Sequence, residues 1–281
     1  MRKSVPIAVG LVMAALLAMA VTNSFGRQEV VRLSDGARID FRKLVNEVER
    51  SRVIFVGETH TSMADHRLQL RLIKALHRRG IPLAIATEMF TAASQDKLDA
   101  WVAGTLGLDS FIRFYYAQWR MPWPYYRAIL TYARDERIPL VGLNVPEEIP
   151  GKVAREGFDS LSPAERAQLP DGITCTIDAS YREFIRRAFR EHRTSEKQFV
   201  SFCEAQMLWN KTMAWHLAAY LKRNPQRTVV VLTGTGHALK KAIPGELADY
   251  LSVPTAVIMP KDSAAARSVM TTQDADYLAL R

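Results

Sequence analysis

The sequence predicts an α/β protein in which a mostly parallel sheet is flanked by helices in three layers, with a small helical subdomain. Short apolar runs rich in β-branched residues alternate with longer amphipathic stretches. The runs are continuously apolar, which is typical of strands buried on both faces. Of the 281 residues, 48% are hydrophobic and 24% charged, a globular composition that excludes a disordered chain.

Five apolar runs are predicted strands. Between the first two of these runs, 53–56 and 83–87, residues 64–79 repeat leucine at helical spacing and are followed by Gly80. This pattern predicts a helix and therefore a first β-α-β unit. Two further helices are predicted at 95–102 and 125–137, between the second and third strands. The predicted strands are residues 53–56, 83–87, 140–143, 228–232 and 255–259.

Residues 147–223 contain no strand-like run, and helix signals dominate there. Ser162 and Glu165 form a capping-box pattern around Pro163. We expect a helical subdomain at about 147–223, inserted in the α/β core of a single domain that spans 25–281. The last 20 residues are polar and are expected to be a loosely held tail. Helices of the insertion are predicted at 163–168, 181–192 and 195–222.

Residues 1–24 are expected to be a signal peptide or an N-terminal anchor. Arg2 and Lys3 precede an uncharged apolar run, and residues 18–20 (AMA) offer a cleavage site. The run is also close to the shortest that can span a bilayer, so an uncleaved anchor stays open. We therefore expect an exported protein of the periplasm or cell envelope, which contacts a membrane only through an uncleaved N-terminal segment.

The charge and the cysteine content bear on two questions, whether the protein binds nucleic acid and whether it contains a disulfide. The formal net charge is +9, but the basic residues are dispersed and form no nucleic-acid motif, so an exported protein of this kind is not expected to bind nucleic acid. Cys175 and Cys203 are the two cysteines of the sequence. In an oxidising compartment they either pair or pack as separate thiols, and both alternatives stay open.

Two predicted strands run into the same kind of motif, GETH at 57–60 and GTGH at 234–237, and a third strand ends in Glu88. Because the carboxyl ends of parallel strands meet at one edge of a sheet, these residues are expected to share a crevice. Such a set suffices for a divalent metal or for general acid/base catalysis, and ordinary hydrogen bonding at strand ends is the alternative. The crevice residues are Glu58, His60, Glu88 and His237.

Aromatic residues are dense at 111–126. The run either packs into the core as a loop or forms a surface for a planar ligand or a partner subunit, and both interpretations stay open. His66 is expected at the mouth of the crevice, and His77 at the surface.

Several blocks of the sequence resemble the ChaN-like family over roughly residues 50–260. The resemblance implies an α/β/α core and an iron-regulated, haem-binding envelope protein in which two subunits can enclose a pair of haems. It places the chain in a wider superfamily with Tiki-type metal-dependent proteases and erythromycin esterase-like hydrolases, which hold GxxH and glutamate residues in a common crevice. The matching blocks are GETH at 57–60, ATEM at 86–89, GLNVP at 142–146, EAQ at 204–206, TMA at 212–214 and LTGTGH at 232–237.

The resemblance also implies a tyrosine as the haem-iron ligand. Tyr116 and Tyr181 are the candidates, because tyrosine is an axial haem ligand in some proteins. His192 is either a ligand or propionate partner or a residue of a solvated helix end, and the solvated helix end is favoured. The chain departs from the family in two respects. It has no cysteine that would carry a lipid, and Asn210 stands where the family often has an aspartate.

These observations favour a haem-binding protein of the cell envelope, active in haem or iron uptake or handling, and forming a homodimer on haem binding. The alternative is a metal-dependent hydrolase that uses the crevice residues. A third interpretation is an envelope scaffold in which the crevice survives only as structure.

Overall fold

A computed structural model describes residues 29–171, 173–174, 176, 179–189, 195–261 and 270–280. Within these residues eight strands form one sheet with the order β2-β1-β8-β7-β3-β6-β4-β5. The α/β fold class predicted from the sequence is confirmed. The strands are β1 (Glu29–Arg32), β2 (Arg38–Asp40), β3 (Val53–Glu58), β4 (Leu83–Thr91), β5 (Leu140–Asn144), β6 (Thr228–Gly234), β7 (Thr255–Pro260) and β8 (Tyr277–Ala279).

The sheet is parallel from β8 to β5, and β1 pairs antiparallel with both β8 and β2. The five strands expected from the sequence are β3 to β7. The expectation of a loosely held tail is wrong for β8, which pairs with both β7 and β1. Its Tyr277 hydroxyl also donates a hydrogen bond to Glu47, 2.9 Å away.

Helices flank the sheet. Among the described residues, the structure adds helices that the sequence did not predict individually: Phe41–Val48, Leu108–Gln118, Glu148–Glu156, Thr235–Ala238 and Ile243–Tyr250. The aromatic residues of Leu108–Gln118 were interpreted as a loop or a surface, and Glu148–Glu156 lies within the predicted helical subdomain. The helices are α1 (Phe41–Val48), α2 (Met63–His77), α3 (Gln95–Val102), α4 (Leu108–Gln118), α5 (Trp123–Asp135), α6 (Glu148–Glu156), α7 (Pro163–Arg166), α8 (Ala179–Phe189), α9 (Glu196–Arg223), α10 (Thr235–Ala238) and α11 (Ile243–Tyr250).

Each face of the sheet carries its own hydrophobic core. Along β3, Ile54 and Val56 belong to the cluster formed with α1 to α5, whereas Val53 and Phe55 belong to the cluster formed with α8, α9 and α11. Because the side chains of a strand alternate between faces, a strand buried on both faces must be apolar throughout. This is the pattern that predicted the parallel sheet, and it produces the three-layer arrangement.

The described residues of 147–223 are helices and turns. A third, smaller cluster packs α6 against the middle of α9 and includes Ile149, Val153, Phe158 and Leu208. The long helix α9 starts with a capping box, in which Ser195 and Gln198 satisfy each other's backbone N–H groups. The helix thus joins the core of the sheet to the small cluster.

Two expectations fall on parts of the chain that the structure does not describe. The signal or anchor segment, residues 1–24, lies outside the described residues, and within the described ones no helix is both long and apolar enough to cross a bilayer. Cys203 is buried on α9, and burial raises the pKa of its thiol to about 11. Cys175 lies outside the described residues, so both alternatives for the two cysteines, a disulfide and separate thiols, stay open.

Candidate functional site

The polar crevice forms where three neighbouring strands end. In the register of the sheet Glu58 of β3 lies beside Gly234 of β6, and β6 lies between β3 and β4, which carries Glu88. Ligand atoms of Glu58, His60 and Glu88 all lie within 4.8 Å of one another. The structure therefore brings three of the four predicted crevice residues within 4.8 Å of one another, and the fourth, His237, lines the same cavity as His60 and Glu88.

Glu58 is buried, and both of its carboxylate oxygens are occupied. Oε1 accepts a short hydrogen bond from the Tyr126 hydroxyl of α5 and lies 3.0 Å from His60 Nδ1. Oε2 accepts a 2.8 Å hydrogen bond from Gln69 Nε2 and lies 3.1 Å from His66 Nε2, both residues being on α2. Because four side chains contact its two oxygens, Glu58 is held in place at the inner end of the crevice and orients the His60 ring there.

Glu58 and His60 form an ion pair. Burial by itself would raise the pKa of Glu58, but the hydrogen bond from His60 and the close contact with His66 outweigh burial and lower that pKa to about 2. Burial would likewise lower the pKa of His60, but the hydrogen bond to Glu58 and the charges of Glu88 and Glu58 raise it to about 9. At neutral pH the pair therefore consists of a carboxylate and an imidazolium, with the histidine side chain 35% exposed.

Glu88 faces the same imidazole from the other side. Its Oε1 accepts a 2.9 Å hydrogen bond from Gly234 N–H and lies 3.5 Å from His60 Nε2. Its Oε2 is buried and has no hydrogen-bond partner among the described residues. Burial raises the pKa of Glu88 to about 7 although the nearby His60 charge acts to lower it, so this carboxyl can exchange a proton near neutral pH.

Gly234 is a glycine because the His60 ring lies across the end of β6. A Cβ at this position would lie 2.9 Å from His60 Cε1 and 3.2 Å from Nε2, closer than such contacts allow. The missing side chain lets the imidazole reach Glu88.

His237 enters the crevice from α10 but has a different partner. Its Nδ1 lies 2.7 Å from Asn210 Oδ1 on α9, and because that oxygen is an acceptor, Nδ1 carries the proton. Burial, helped by the charge of His60, lowers the pKa of His237 to about 3, so its ring is neutral. Asn210 thus sets the tautomer of the second crevice histidine.

The crevice opens into a cavity of about 500 Å³. His60, Glu88 and His237 form part of its wall. The rest comes from the ends of β4 and β5 and the segment after β5, from the end of α4 and the turn that follows it, from the start of α6 and from α9. Trp119 packs edge-on against His60 with ring centroids 5.1 Å apart. The volume is in the range of sites that hold a cofactor or another small molecule. The apolar lining residues are Met89, Ala117, Trp119, Met121, Val145, Pro146 and Trp209.

The aromatic run 111–126 divides between the two interpretations that the sequence left open. Phe111, Tyr115 and Tyr126 are fully buried, so most of the run packs into the core as helix rather than as a loop. Trp119 instead lines the cavity, and Tyr116 is 50% exposed. The run therefore contributes to both the core and the cavity wall.

The remaining sequence candidates are placed as follows. His66 is not at the mouth of the crevice, because it is buried beneath Glu58 with its ring 4.4 Å from that of Tyr126. His77 is partly buried and its Nδ1 lies 2.9 Å from the Tyr132 hydroxyl. For Tyr181 the structure describes only the backbone, in α8, and His192 lies outside the described residues.

Sequence reasoning missed two polar groups of the site, Gln69 and Tyr126, which both bind Glu58. Gln69 carried a usable signal: it sits beside Leu68, Leu72 and Ile73 on the buried face of α2, where an amide needs a buried partner. Tyr126 carried none, since it is one of several tyrosines in an aromatic run.

The donor set fits a resident metal ion poorly. Glu58, His60 and Glu88 are close enough to hold one. However, both oxygens of Glu58 already accept from protein groups, and His237 lies outside this close cluster. That leaves His60 Nε2 and the Glu88 carboxylate within it, fewer than the three protein ligands of catalytic zinc sites. As built, the cluster is better suited to proton transfer between His60 and Glu88 than to metal binding.

The fold and the site define the class of protein: a three-layer α/β/α protein with a cavity at the carboxyl ends of its parallel strands, the edge where such sheets bind ligands. Residues 44–247 match the family model described as haem-binding uptake, Tiki superfamily, ChaN, and the chain belongs to that family. The resemblance found in the sequence is thereby confirmed.

Solved structures agree on the fold. Campylobacter jejuni ChaN, described as binding haem cofacially, is 18% identical with a TM-score of 0.70, over 90% of this chain and 96% of that one. A mutant of the erythromycin esterase EreC is 15% identical with a TM-score of 0.51, over 78% of this chain and 72% of that one. At these identities the similarity shows the fold alone.

A curated relative is the chloroplastic protein RETICULATA-RELATED 5 of Arabidopsis thaliana, 25% identical over 134 residues. The match includes 45% of this chain but spans only 18% of that protein's length.

Proposed function

We propose that this chain is a haem-binding protein of the cell envelope that serves haem or iron uptake or handling. The observation that carries the proposal is the cavity of about 500 Å³ with an aromatic wall, in a member of a haem-binding family. The signal-like segment at residues 1–24 supports an envelope location.

The walls of the cavity suit a planar apolar ligand. Trp119 and Met121 face it from the α4–α5 turn and Trp209 from α9, so a porphyrin ring would bury its faces against aromatic and thioether groups. The inner end is polar and supplies His60, Glu88 and His237. An occupant therefore meets the crevice residues directly, because the haem cavity and the polar crevice are one space.

Tyr116 is the iron ligand that we propose. It is exposed, it precedes the cavity-lining residues 117–121, and its hydroxyl oxygen accepts a 3.1 Å hydrogen bond from Trp123 N–H, which fixes the direction of the oxygen. Tyrosine oxygen binds ferric haem in catalase. Tyr181 and His192 stay candidates from the sequence. We further propose that two copies of the chain come together around haem, as the family resemblance implies.

Hemin titration of the mature protein tests the proposal. We expect a saturable high-spin ferric spectrum near one haem per chain. In Tyr116→Phe the spectrum should change and binding should weaken, whereas Tyr132→Phe, whose hydroxyl contacts His77 away from the cavity lining, should behave as the wild type. Absence of saturable binding would refute the proposed function, and an unchanged Tyr116→Phe spectrum would refute the ligand.

The polar crevice favours a second candidate function, a hydrolase. Its specific observation is the Glu58-oriented His60 beside the buried carboxyl of Glu88, whose pKa burial raises to about 7, in the range that suits general acid/base catalysis at neutral pH. Hydrolysis of chromogenic esters by the purified protein, lost in His60→Gln, would support it. Sensitivity of that activity to a chelator, with bound metal in the same sample, would support the metal-dependent form.

A further inference from the structure

We propose that Arg120, at the mouth of the cavity, binds a carboxylate of the ligand, and that Glu147 competes with the ligand for the same guanidinium. The inference rests on the proposed function, since it concerns the same cavity. It adds the part of the ligand that the mouth recognises: a carboxylate on the edge of a planar apolar ring.

The two residues face each other across the mouth. Arg120 lies in the turn between α4 and α5, Glu147 immediately precedes α6, and both line the cavity. Arg120 Nη2 donates to Glu147 Oε2 over 3.2 Å. Their side chains are 82% and 65% exposed, so the ion pair is screened by solvent and contributes little to stability. A pair of this kind exchanges partners easily.

In the described part of the cavity wall, Arg120 is the one permanently charged cation. Among the described residues that line the cavity, no other is lysine or arginine, and the imidazolium of His60 is already paired with Glu58. The guanidinium has a planar fork of N–H donors that matches a carboxylate in two parallel hydrogen bonds. A ligand carboxylate therefore replaces the Glu147 carboxylate without loss of charge pairing.

The position of Arg120 also fixes where the carboxylate sits. Arg120 follows Trp119 directly in the chain, and Trp119 packs against His60 at the inner end. A flat ring lying on Trp119 has its inner edge at the crevice and an outer edge at the mouth, beside Arg120. Carboxylates on that outer edge, such as the propionates of haem, reach the guanidinium while the ring stays in the cavity.

The experiment compares hemin with its dimethyl ester, which has the same ring without free carboxylates, on the full chain. We expect the wild type to bind hemin roughly three- to tenfold more tightly than the ester, and Arg120→Gln to lose that preference while binding the ester normally. Glu147→Gln should bind hemin more tightly, because the competitor is removed. The preference should shrink as salt is raised, since the mouth is exposed.

Arg113→Gln is the matched control. Arg113 is an exposed arginine of α4 that bonds Ser110 and does not line the cavity, so its loss should leave the preference unchanged. Equal binding of hemin and ester by the wild type, or an unchanged preference in Arg120→Gln, would overturn this inference and leave the proposed function intact. Lack of saturable binding of either porphyrin would overturn both.

Discussion

Glu58 holds more of the site together than any other side chain of the crevice, because its two oxygens bind groups from α2, from α5 and from the turn after β3. Replacement of Glu58 by glutamine keeps the side-chain volume but removes the negative charge. It also places an amide N–H₂ group where the carboxylate oxygens accept hydrogen bonds from Gln69 and Tyr126, so two donors face each other. We expect Glu58→Gln to lower the free energy of unfolding by about 2 to 4 kcal/mol.

Urea denaturation measures this change, with Glu49→Gln as control. Glu49 pairs with Arg79 at a partly exposed position, with 34% of the Glu49 side chain exposed, and its substitution should change the free energy of unfolding by less than about 1 kcal/mol. Equal effects of the two substitutions would show that Glu58 does not organise the site.

The ion pair of Glu58 and His60 predicts a pH dependence with a definite sign. The pKa of His60 is raised from its ordinary 6.5 to about 9, so its stabilisation is complete below about pH 6.5 and is lost as the pH rises through 9. The pKa of Glu58 is lowered to about 2, so the stabilisation that Glu58 contributes is complete above about pH 4.5 and is lost as the pH falls through 2.

Comparing the wild type with His60→Gln measures the part of the stability that is lost at alkaline pH. The difference in their free energies of unfolding, measured in urea at pH 6, 7.5 and 9, should decrease steadily over that range. A difference that stays constant with pH would mean that His60 is not held as an imidazolium.

At the scale of elements, the sequence predicted the strands whose apolar pattern follows from burial on both faces of the sheet. It did not predict the strands that form because they pair with neighbours in the folded protein. The central strands β3 to β7 are continuously apolar and were predicted. The short strands β1, β2 and β8 carry mixed polarity, and they are strands because they pair with one another along the edge region of the sheet. Helix α4 was missed because aromatic residues are weak helix formers and two prolines follow; Pro124 in fact occupies the first turn of α5, where proline is tolerated.

The capping box of α9 gives a prediction at this scale. Ser195→Ala removes the acceptor for Gln198 N–H at the start of a 28-residue helix that contributes to two clusters, and should lower the free energy of unfolding by about 1 kcal/mol. Ser195→Asp keeps a side-chain oxygen at the capping position, so it should lower the free energy of unfolding much less than Ser195→Ala does. Equal losses in chemical denaturation would exclude a capping role.

For the whole molecule, the sequence located the crevice but not its internal contacts. Glu58, His60, Glu88 and His237 were predicted together because parallel strands share an edge. Their partners Gln69, Tyr126 and Asn210 come from helices α2, α5 and α9, whose packing onto the sheet depends on contacts distant in sequence. The shared cavity, which joins the crevice to the aromatic wall, depends on the same packing.

The proposed function rests on the claim that this cavity holds the haem, and filling the cavity tests that claim. Ala117 is an exposed lining residue, so Ala117→Trp should occupy the space without disturbing the core, and Ala128→Trp, on an exposed position of α5 outside the lining, is the control. In a hemin titration followed at the Soret band, we predict that Ala117→Trp weakens binding by roughly tenfold or more while Ala128→Trp binds as the wild type. Wild-type affinity in Ala117→Trp would contradict the claim.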